Sequence, residues 1–412
     1  MNAVGPARPS LPGVDVYDPG AYEAGVPHAL FARLRREAPV SWQTLPDGSG
    51  YWVLAKHADV LAASADPATF SAWRGGIVIE ELPPETLALV RGQLLAMDPP
   101  EHGRMRRAVL AGFTPGRVGR MEGWLRERAR AVLTAAAATP RCDAVADLAA
   151  PLPLQVICEI VGVPEEDRAR VAALGDRILG RDDPELGSAE EATRASVELG
   201  TYGFQLALAR KEGGGSDLCA ALLHARGAAE RLSEVEFAGL FVQLVVAGNE
   251  TTRTLLSGSL LLLHEHPEVW ALLAREPGRI PRAVEELLRF VTPVHYFRRT
   301  AARDTAIRGV AIREGERVVL LYSSANRDEE VFAGPDRFDP GRHPNPHLAF
   351  GFGEHFCLGA KLARLEARVF LEELVARFQG VELTGTPRRM RSNLNNAWKE
   401  IPVRLLPRAG RP

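Results

Sequence analysis

One cysteine in a glycine-rich segment is the residue best placed to do chemistry. Cys357 lies in the segment 350–359, which reads FGFGEHFCLG. Glycines allow a tight turn and a close approach of the backbone to another group. Leucines at 358, 362 and 365 then recur at helical spacing, which predicts a helix that begins just after the cysteine. A helix N-terminus stabilises a thiolate, the form of cysteine that acts as a nucleophile or a metal ligand.

Residue types alone leave three interpretations of Cys357 open. A lone cysteine is most often a packed core residue. A zinc site would use His343, His347, His355 and Cys357 as its four ligands, although prolines at 344 and 346 make a helix between the first two histidines unfavourable. In the third interpretation, Cys357 is the axial thiolate of a haem iron.

A polar interruption in a long apolar helix is the second candidate for chemistry. Ser233 and Glu236 fit a capping box, and apolar residues at helical spacing continue from there to Leu263. The predicted helix has about 32 residues and a length of roughly 48 Å. The segment 247–252 in its middle reads AGNETT.

Gly248 in that segment has two interpretations, because glycine costs about 1 kcal/mol in a helix interior and so needs a reason. Either two helices cross closely at Gly248, or the missing side chain leaves space for a ligand against the backbone. In the second case the Thr251 hydroxyl and the Glu250 carboxylate face a buried pocket and relay protons.

Helical patterning dominates the elements that must position these residues. A DGSG turn at 47–50 between two short apolar runs predicts a β-hairpin. The expected elements are helices over 30–37, 121–138 and 190–211, a hairpin of 39–45 with 51–55, a β-rich patch over 298–321, a loop over 211–217 and an irregular meander over 327–346. The sequence predicts a mainly α fold with small β-sheets.

Composition narrows the class of protein. The 412 residues carry 50 Lys plus Arg against 52 Asp plus Glu, which excludes a basic nucleic-acid-binding field over the whole chain. The four cysteines form no Cys-x-x-Cys pair, as is typical of a reducing compartment. No signal peptide and no uncharged run of membrane-spanning length is present, so we expect a cytoplasmic protein without a membrane span. Residues 1–20, with seven glycines and prolines, are expected to form an extended arm.

With these motifs in this order, the sequence resembles the cytochrome P450 family of the soluble bacterial type over nearly all of its length. Segment 350–359 matches the family's haem-binding signature at every fixed position. Segment 247–252 matches its oxygen-activation motif, with Glu250 where many members have Asp. The elements at 286–289 (ELLR), 102–106 (HGRMR) and 299–304 (RTAARD) match three further family motifs.

The resemblance implies a triangular single domain over 21–412, with haem b between the long central helix and the helix after Cys357. It implies that Cys357 is the iron ligand and that the haem propionates are held by two histidines and two arginines. The cofactor-binding residues carried over by position are His102, Arg106, Ala247, Gly248, Arg299, Phe350, Gly351, His355, Cys357 and Gly359. Glu286 and Arg289 would form a buried structural ion pair, completed by Arg337 or Arg342.

The resemblance also implies a monooxygenase that inserts one oxygen atom of O2 into a lipophilic small molecule. Thr251 and Glu250 would be the catalytic residues that deliver protons. No Gly-x-Gly-x-x-Gly unit is present, so electrons would come from an external ferredoxin and its NAD(P)H-dependent reductase. A basic dock for ferredoxin, or else an ordinary solvated face, is expected from Lys361, Arg364, Arg368, Arg104 and Arg107. We expect a monomer.

The substrate is the least determined property. A few short segments also resemble, less specifically, those of P450 enzymes that oxidise steroids, terpenoids and branched lipids. The alternatives are a macrolide- or polyketide-tailoring monooxygenase, a peroxide-using variant, and a haem-binding sensor or carrier without turnover. The segments expected to line the pocket are 77–95, 242–247, 293–296 and 395–398.

Overall fold

A computed structural model describes residues 8–215, 217–225, 227 and 231–408. The helices are α1 (His28–Glu37), α2 (His57–Ala65), α3 (Pro84–Arg91), α4 (Glu101–Leu110), α5 (Pro115–Arg120), α6 (Glu122–Ala137), α7 (Pro151–Val161), α8 (Glu165–Leu179), α9 (Ala189–Gly213), α10 (Leu218–Leu223), α11 (Glu234–Glu265), α12 (Pro267–Arg275), α13 (Ile280–Val291), α14 (Tyr322–Ala325) and α15 (Ala360–Arg377). The strands are β1 (Val40–Thr44), β2 (Gly50–Leu54), β3 (Phe70–Ser71), β4 (Cys142–Asp143), β5 (Tyr296–Ala301), β6 (Thr305–Ile307), β7 (Val310–Ile312), β8 (Arg317–Leu321), β9 (Phe378–Leu383), β10 (Arg388–Arg389), β11 (Trp398–Glu400) and β12 (Pro402–Pro407).

The largest sheet has five strands in the order β1-β2-β8-β5-β3. The predicted hairpin forms its edge: β1 and β2 pair antiparallel, with Trp42 opposite Trp52. Gly48 has a φ of 81° in the turn between them, a conformation that glycine adopts without strain. Smaller sheets are formed by β4-β12-β9, β10-β11 and β6-β7. The mainly helical fold with small sheets is therefore as predicted.

Helix α11 crosses the middle of the molecule. Ser233 and Glu236 form both hydrogen bonds of the predicted capping box, and the helix runs for 32 residues. Its buried side chains lie on nearly every side, since it packs against α7, α8, α9, α13 and α15. A helix surrounded in this way holds its residues in fixed positions for the site described below.

Two sequence expectations need adjustment at the level of the fold. The loop expected over 211–217 begins later, because α9 continues to Gly213. Of the arm expected over 1–20, residues 1–7 lie outside the described residues. The remainder follows the body of the protein: Pro9 O accepts from Trp42 N at 2.7 Å, and Arg8 pairs with Glu316.

One helical stretch among the described residues, 144–161, has the length and hydropathy of a membrane span. More than half of it is buried inside the protein, at 56%. A buried core helix passes the same test of length and hydropathy, so this stretch is weak evidence for a span.

Candidate active site

The glycine-rich segment forms a tight loop that ends at Cys357. Gly351 and Gly353 have φ values of 67° and 70°, which favour glycine. A Cβ added at Gly353 would lie 2.5 Å from Ser64 O, so a larger residue would push the loop away from α2. Cys357 N donates to Phe350 O at 2.8 Å, which closes the loop before α15 begins at Ala360.

Burial raises the pKa of the Cys357 thiol, while the backbone N–H groups of Gly359 and Ala360 and the charges of Arg106 and Arg364 lower it. The Gly359 and Ala360 N–H groups therefore act in the direction expected of a helix N-terminus, but burial is the larger effect and the net pKa is raised. The same N–H groups and cations would stabilise a thiolate once a metal ion compensates its charge.

The zinc interpretation finds no support. No group of three or more His, Cys, Asp or Glu side chains in the described part of the chain is arranged to hold a metal ion. His347 Nε2 instead lies 3.2 Å from a Glu285 oxygen, and His355 packs against His102.

A cavity lies between α11 and the Cys357 loop, and it brings most of the predicted site residues together. The predicted residues that line it are His102, Arg106, Ala247, Gly248, Thr251, Arg299, Phe350, Gly351, His355, Cys357 and Gly359. Their positions range from 102 to 359, so the fold assembles the site from distant parts of the chain.

Both interpretations of Gly248 agree with its surroundings. Gly248 lines the cavity, and an added Cβ would also lie 3.1 Å from Ile157 of α7, so the helices cross closely at this point. One turn along α11, the Thr251 hydroxyl donates to Ala247 O at 2.8 Å.

Glu250 does not line the cavity, contrary to the prediction that it and Thr251 face the same pocket. Successive residues of a helix point about 100° apart, so the two side chains take different sides of α11. Glu250 is only 2% exposed and contacts Arg253, and the Thr254 hydroxyl donates to it at 3.2 Å. Burial raises the pKa of Glu250, and the Arg253 charge opposes this shift.

Four cationic or donor side chains surround one end of the cavity. His102 and His355 pack with ring centroids 4.3 Å apart, and the Nε2 atom of each is buried without a described partner. Arg299 is buried and donates to Arg298 O at 2.9 Å, while Arg106 donates to Phe356 O at 2.6 Å. Burial and the neighbouring arginines lower the pKa of His102 to about 4 and that of His355 to about 2.

These residues fit a haem group. Two orphaned imidazole nitrogens beside two arginines form an anion site, which suits a pair of carboxylates. The apolar cavity with Cys357 on one wall provides the remaining environment that a thiolate-bound porphyrin requires.

Glu286 and Arg289 form a fully buried ion pair with two N–O distances of 2.8 Å. Arg342 completes the cluster, because its Nε lies 3.1 Å from both Glu286 oxygens. The Arg337 side chain instead pairs with Asp339 at 3.0 Å. The cluster ties the irregular segment 327–346 to α13.

The expected basic dock is largely occupied by ion pairs. Arg364 pairs with Glu285, and Arg368 with Glu122 and Glu372. Arg104 pairs with Glu101 and Glu236. Among the described residues, exposed Lys361 and Arg107 have no ion-pair partner within 4.0 Å.

The expected pocket segments are partly correct. Segment 77–95 contributes Leu94 and Leu95 to the cavity lining, segment 242–247 contributes three residues, and segment 293–296 contributes Pro293 and Val294. Segment 395–398 does not line the cavity. Asn396 N instead donates to Pro293 O at 2.9 Å, so this segment supports the wall from behind.

Sequence reasoning missed Glu366, which lines the cavity from α15. It is buried, its Oε2 atom has no described partner, and burial raises its pKa to about 8. The available signal was a carboxylate at an inward position of an otherwise apolar helix face, next to Leu362 and Leu365.

Known proteins resemble this chain along most of its length. The family model described as Cytochrome P450 matches residues 205–405. A steroid C26-monooxygenase of Rhodococcus jostii is 39% identical over 408 residues, covering 96% of this chain and 86% of the relative. A methyl-branched lipid omega-hydroxylase of Mycobacterium tuberculosis is 42% identical over 418 residues, covering 97% and 96%. A linalool 8-monooxygenase of Pseudomonas putida is 36% identical over 402 residues, covering 96% and 99%.

The fold agrees with these sequence matches. A Mycobacterium marinum cytochrome P450 solved in complex with pseudoionone superimposes with a TM-score of 0.90 at 36% identity, covering 97% of this chain and 99% of that one. Sequence identity above 30% over almost the whole chain, together with this fold, shows that the protein belongs to the cytochrome P450 family and is a monooxygenase of that family.

Proposed function

We propose that this enzyme hydroxylates a steroid, a terpenoid or a methyl-branched lipid, using haem b bound through Cys357. The observation that carries the proposal is the cavity between Thr251 and Cys357, with its apolar walls and its anion site of two arginines and two histidines. Such walls suit a lipophilic substrate. The relatives named above act, by their names, on a steroid, a branched lipid and a terpene alcohol.

When bound, the haem supplies activation of O2 at a thiolate-ligated iron. The chain's own residues would hold and shield it: Cys357 would be the iron ligand, and His102, Arg106, Arg299 and His355 would bind the propionates. Ala247 and Gly248 of α11 and the loop residues Phe350, Gly351 and Gly359 line the cavity that would enclose the group. Residues 21–412 act as one domain around the cofactor.

Thr251 and Glu250 move protons. The Thr251 hydroxyl lines the cavity and would donate to the reacting oxygen. Glu250 lies behind it, and Arg253 connects Glu250 to the surface residue Asp176, to which it donates at 2.8 Å. A buried acid with a link to solvent is suited to resupply protons through water.

Electrons come from a ferredoxin and an NAD(P)H-dependent reductase. Lys361 and Arg107 are the cations of the expected dock that remain without a described acidic partner. Exposed cations without an acidic partner on their own chain suit an acidic redox protein. We expect Lys361→Glu to slow reduction by ferredoxin, whereas the dithionite-reduced protein should bind carbon monoxide normally.

The central test is the spectrum of the reduced, carbon-monoxide-treated protein. We expect the Soret band that is typical of thiolate ligation, and its loss in Cys357→Ser. Cys142→Ser is the matched control, because Cys142 lies in β4 away from the cavity, and it should keep the band. A band that survives in Cys357→Ser would refute the ligand assignment.

A panel of steroids, terpenoids and branched fatty acids then tests the substrate class by spin-state shift and by turnover with surrogate ferredoxin and reductase. If compounds of the panel bind but none of them is converted to product, a sensor or carrier would be favoured instead.

A further inference from the structure

Most polar side chains that line the cavity lie in three groups, and one lies apart from them. The two histidines and two arginines described above surround the anion site, and Tyr322 lies beside Arg299. Thr251 and Thr252 are neighbours on α11. Cys357 and Glu366 lie on the opposite wall. The exception is Gln243, which lies on α11 among Leu94, Leu95, Leu240 and Leu244. A single amide in an apolar wall is an orienting group rather than a packing group.

The orientation of this amide is fixed. Gln243 Oε1 accepts a hydrogen bond from Leu95 N at 3.0 Å. A backbone N–H requires an acceptor, so the amide oxygen must face Leu95 N. The NH2 group must then point away from Leu95 N. Among the described residues, no acceptor forms a hydrogen bond with Gln243 Nε2. This nitrogen is also not fully buried. The NH2 group is therefore open to the cavity that Gln243 lines.

A second contact holds the same loop against α11. A Cβ added at Gly239, one turn before Gln243, would lie 2.4 Å from Gly92 O. The loop backbone at 92–95 thus lies directly on this face of the helix. With the loop held at two points, the Gln243 amide is rigid and loses little freedom when it binds a ligand.

The spacing of Gln243 and Thr251 along α11 sets the distance between the amide and the place where oxidation occurs. Gln243 precedes Thr251 by eight residues, or about 12 Å along the helix axis. An unused donor in an apolar wall gains a hydrogen bond only from a ligand with an acceptor at that place, and a ligand without one leaves the amide desolvated and unpaired.

We propose that the Gln243 NH2 group selects substrates that are apolar except for one acceptor oxygen, such as a ketone, ether or alcohol, roughly 12 Å from the carbon oxidised near Thr251. Gln243 is thus a specificity-determining residue. This inference rests on the proposed function, and it adds the polarity of the substrate and the end at which oxidation takes place.

The test uses two ligands of the same shape: 2-dodecanone, and 2-methyl-1-dodecene, in which a methylene replaces the carbonyl oxygen. Affinities are measured with the haem-loaded enzyme by spin-state shift and by calorimetry. We expect the native enzyme to bind the ketone roughly three- to tenfold more tightly than the alkene. A ratio near one in the native enzyme overturns the proposal.

Two variants separate recognition from support of the loop. Gln243→Met removes both functions. Gln243→Glu at pH 9.5, above the pKa of about 8 that burial gives Glu366 in the same cavity, keeps an acceptor for Leu95 N but replaces the donor. We expect the ketone preference to vanish in both variants, while hydrogen exchange at the Leu95 amide accelerates only in Gln243→Met.

A ketone preference that survives in Gln243→Glu would show that the amide only holds the loop, and it would overturn the inference. Failure of the proposed function is distinguishable, because the native protein would then lack the thiolate-type carbon-monoxide band whatever residue stands at 243.

Discussion

Arg253 pairs with Glu250, one turn earlier on α11, inside the protein. The same guanidinium donates to Asp176 of α8 at 2.8 Å, and the Asp176 side chain is 52% exposed. Burial opposes ionisation of Glu250, and the Arg253 charge favours it. The arginine therefore favours the charged form of a buried carboxyl group and links that group to the surface.

Removal of Arg253 is expected to destabilise the protein in a pH-dependent way. In Arg253→Met, the buried Glu250 loses the charge that lowers its pKa, so its folded-state pKa rises further above the unfolded value. The folded state then binds more protons than the unfolded state above about pH 4.5, and stability falls as pH rises. We expect a loss of about 3–5 kcal/mol near pH 8 and a smaller loss near pH 5, measured by urea unfolding.

The double variant Arg253→Met/Glu250→Gln is the matched control for that experiment. It lacks the titrating carboxyl group, so the additional dependence on pH should disappear. An Arg253→Met deficit that is equal at pH 5 and pH 8 would show that Glu250 is not the group involved.

Thr251 is expected to control how efficiently electrons are used. In Thr251→Ala the hydroxyl that lines the cavity is absent, and proton delivery to the reacting oxygen should fail more often. Since a positioned proton donor contributes about 10²-fold or more, we expect a large fall in product formed per NAD(P)H, with hydrogen peroxide appearing instead. Thr252→Ala removes the other threonine hydroxyl that lines the cavity, one not placed in the relay, and should remain close to the native enzyme. Equal losses in both variants would argue against a specific role for Thr251.

The local elements of the fold could be predicted from the sequence because their signals are local. Ser233 and Glu236 lie three residues apart and mark the start of α11 at the residue where the helix begins. The turn at 47–50 likewise fixes the register of the hairpin. The predicted cavity residues have motifs of their own, and the fold needed only to bring them together.

Contacts between distant segments could not be predicted in the same way. Arg337 and Arg342 have similar surroundings in the sequence, and only the path of the chain places Arg342 on Glu286, 56 residues away. The sequence did not show that Arg364 is paired, because its partner Glu285, 2.7 Å away, lies on a separate helix, α13. No local pattern marks Gln243 within its apolar run, because its partner Leu95 is 148 residues away.

The two arginines of the meander should differ sharply when replaced. Arg342 pairs with Glu286 and also donates to the carbonyl oxygens of Ala333, Gly334 and Arg337. Arg342→Leu removes a partner of a buried carboxylate and should cost about 3–5 kcal/mol of unfolding free energy. Arg337→Leu removes an exposed side chain and should change stability by less than about 0.5 kcal/mol.

Hydrogen exchange gives a second measurement for that pair. Backbone amides at 333–342 should exchange faster in Arg342→Leu but not in Arg337→Leu. Similar exchange in both variants would mean that the Glu286 cluster does not hold the meander in place.

Acid should destabilise the protein partly through His295. This side chain is fully buried, and its Nδ1 lies 2.7 Å from Ser323 Oγ. Burial, with smaller effects from the Arg389 and His28 charges, lowers the pKa of His295 well below 6.5. The unfolded state therefore takes up a proton below about pH 6.5 that the folded state refuses, and stability falls by up to about 1.4 kcal/mol per pH unit. In His295→Asn the slope of unfolding free energy between pH 6 and pH 4 should be shallower by about that amount, whereas the slopes above pH 7.5 should coincide. Equal slopes below pH 6 would show that His295 becomes protonated within the folded protein.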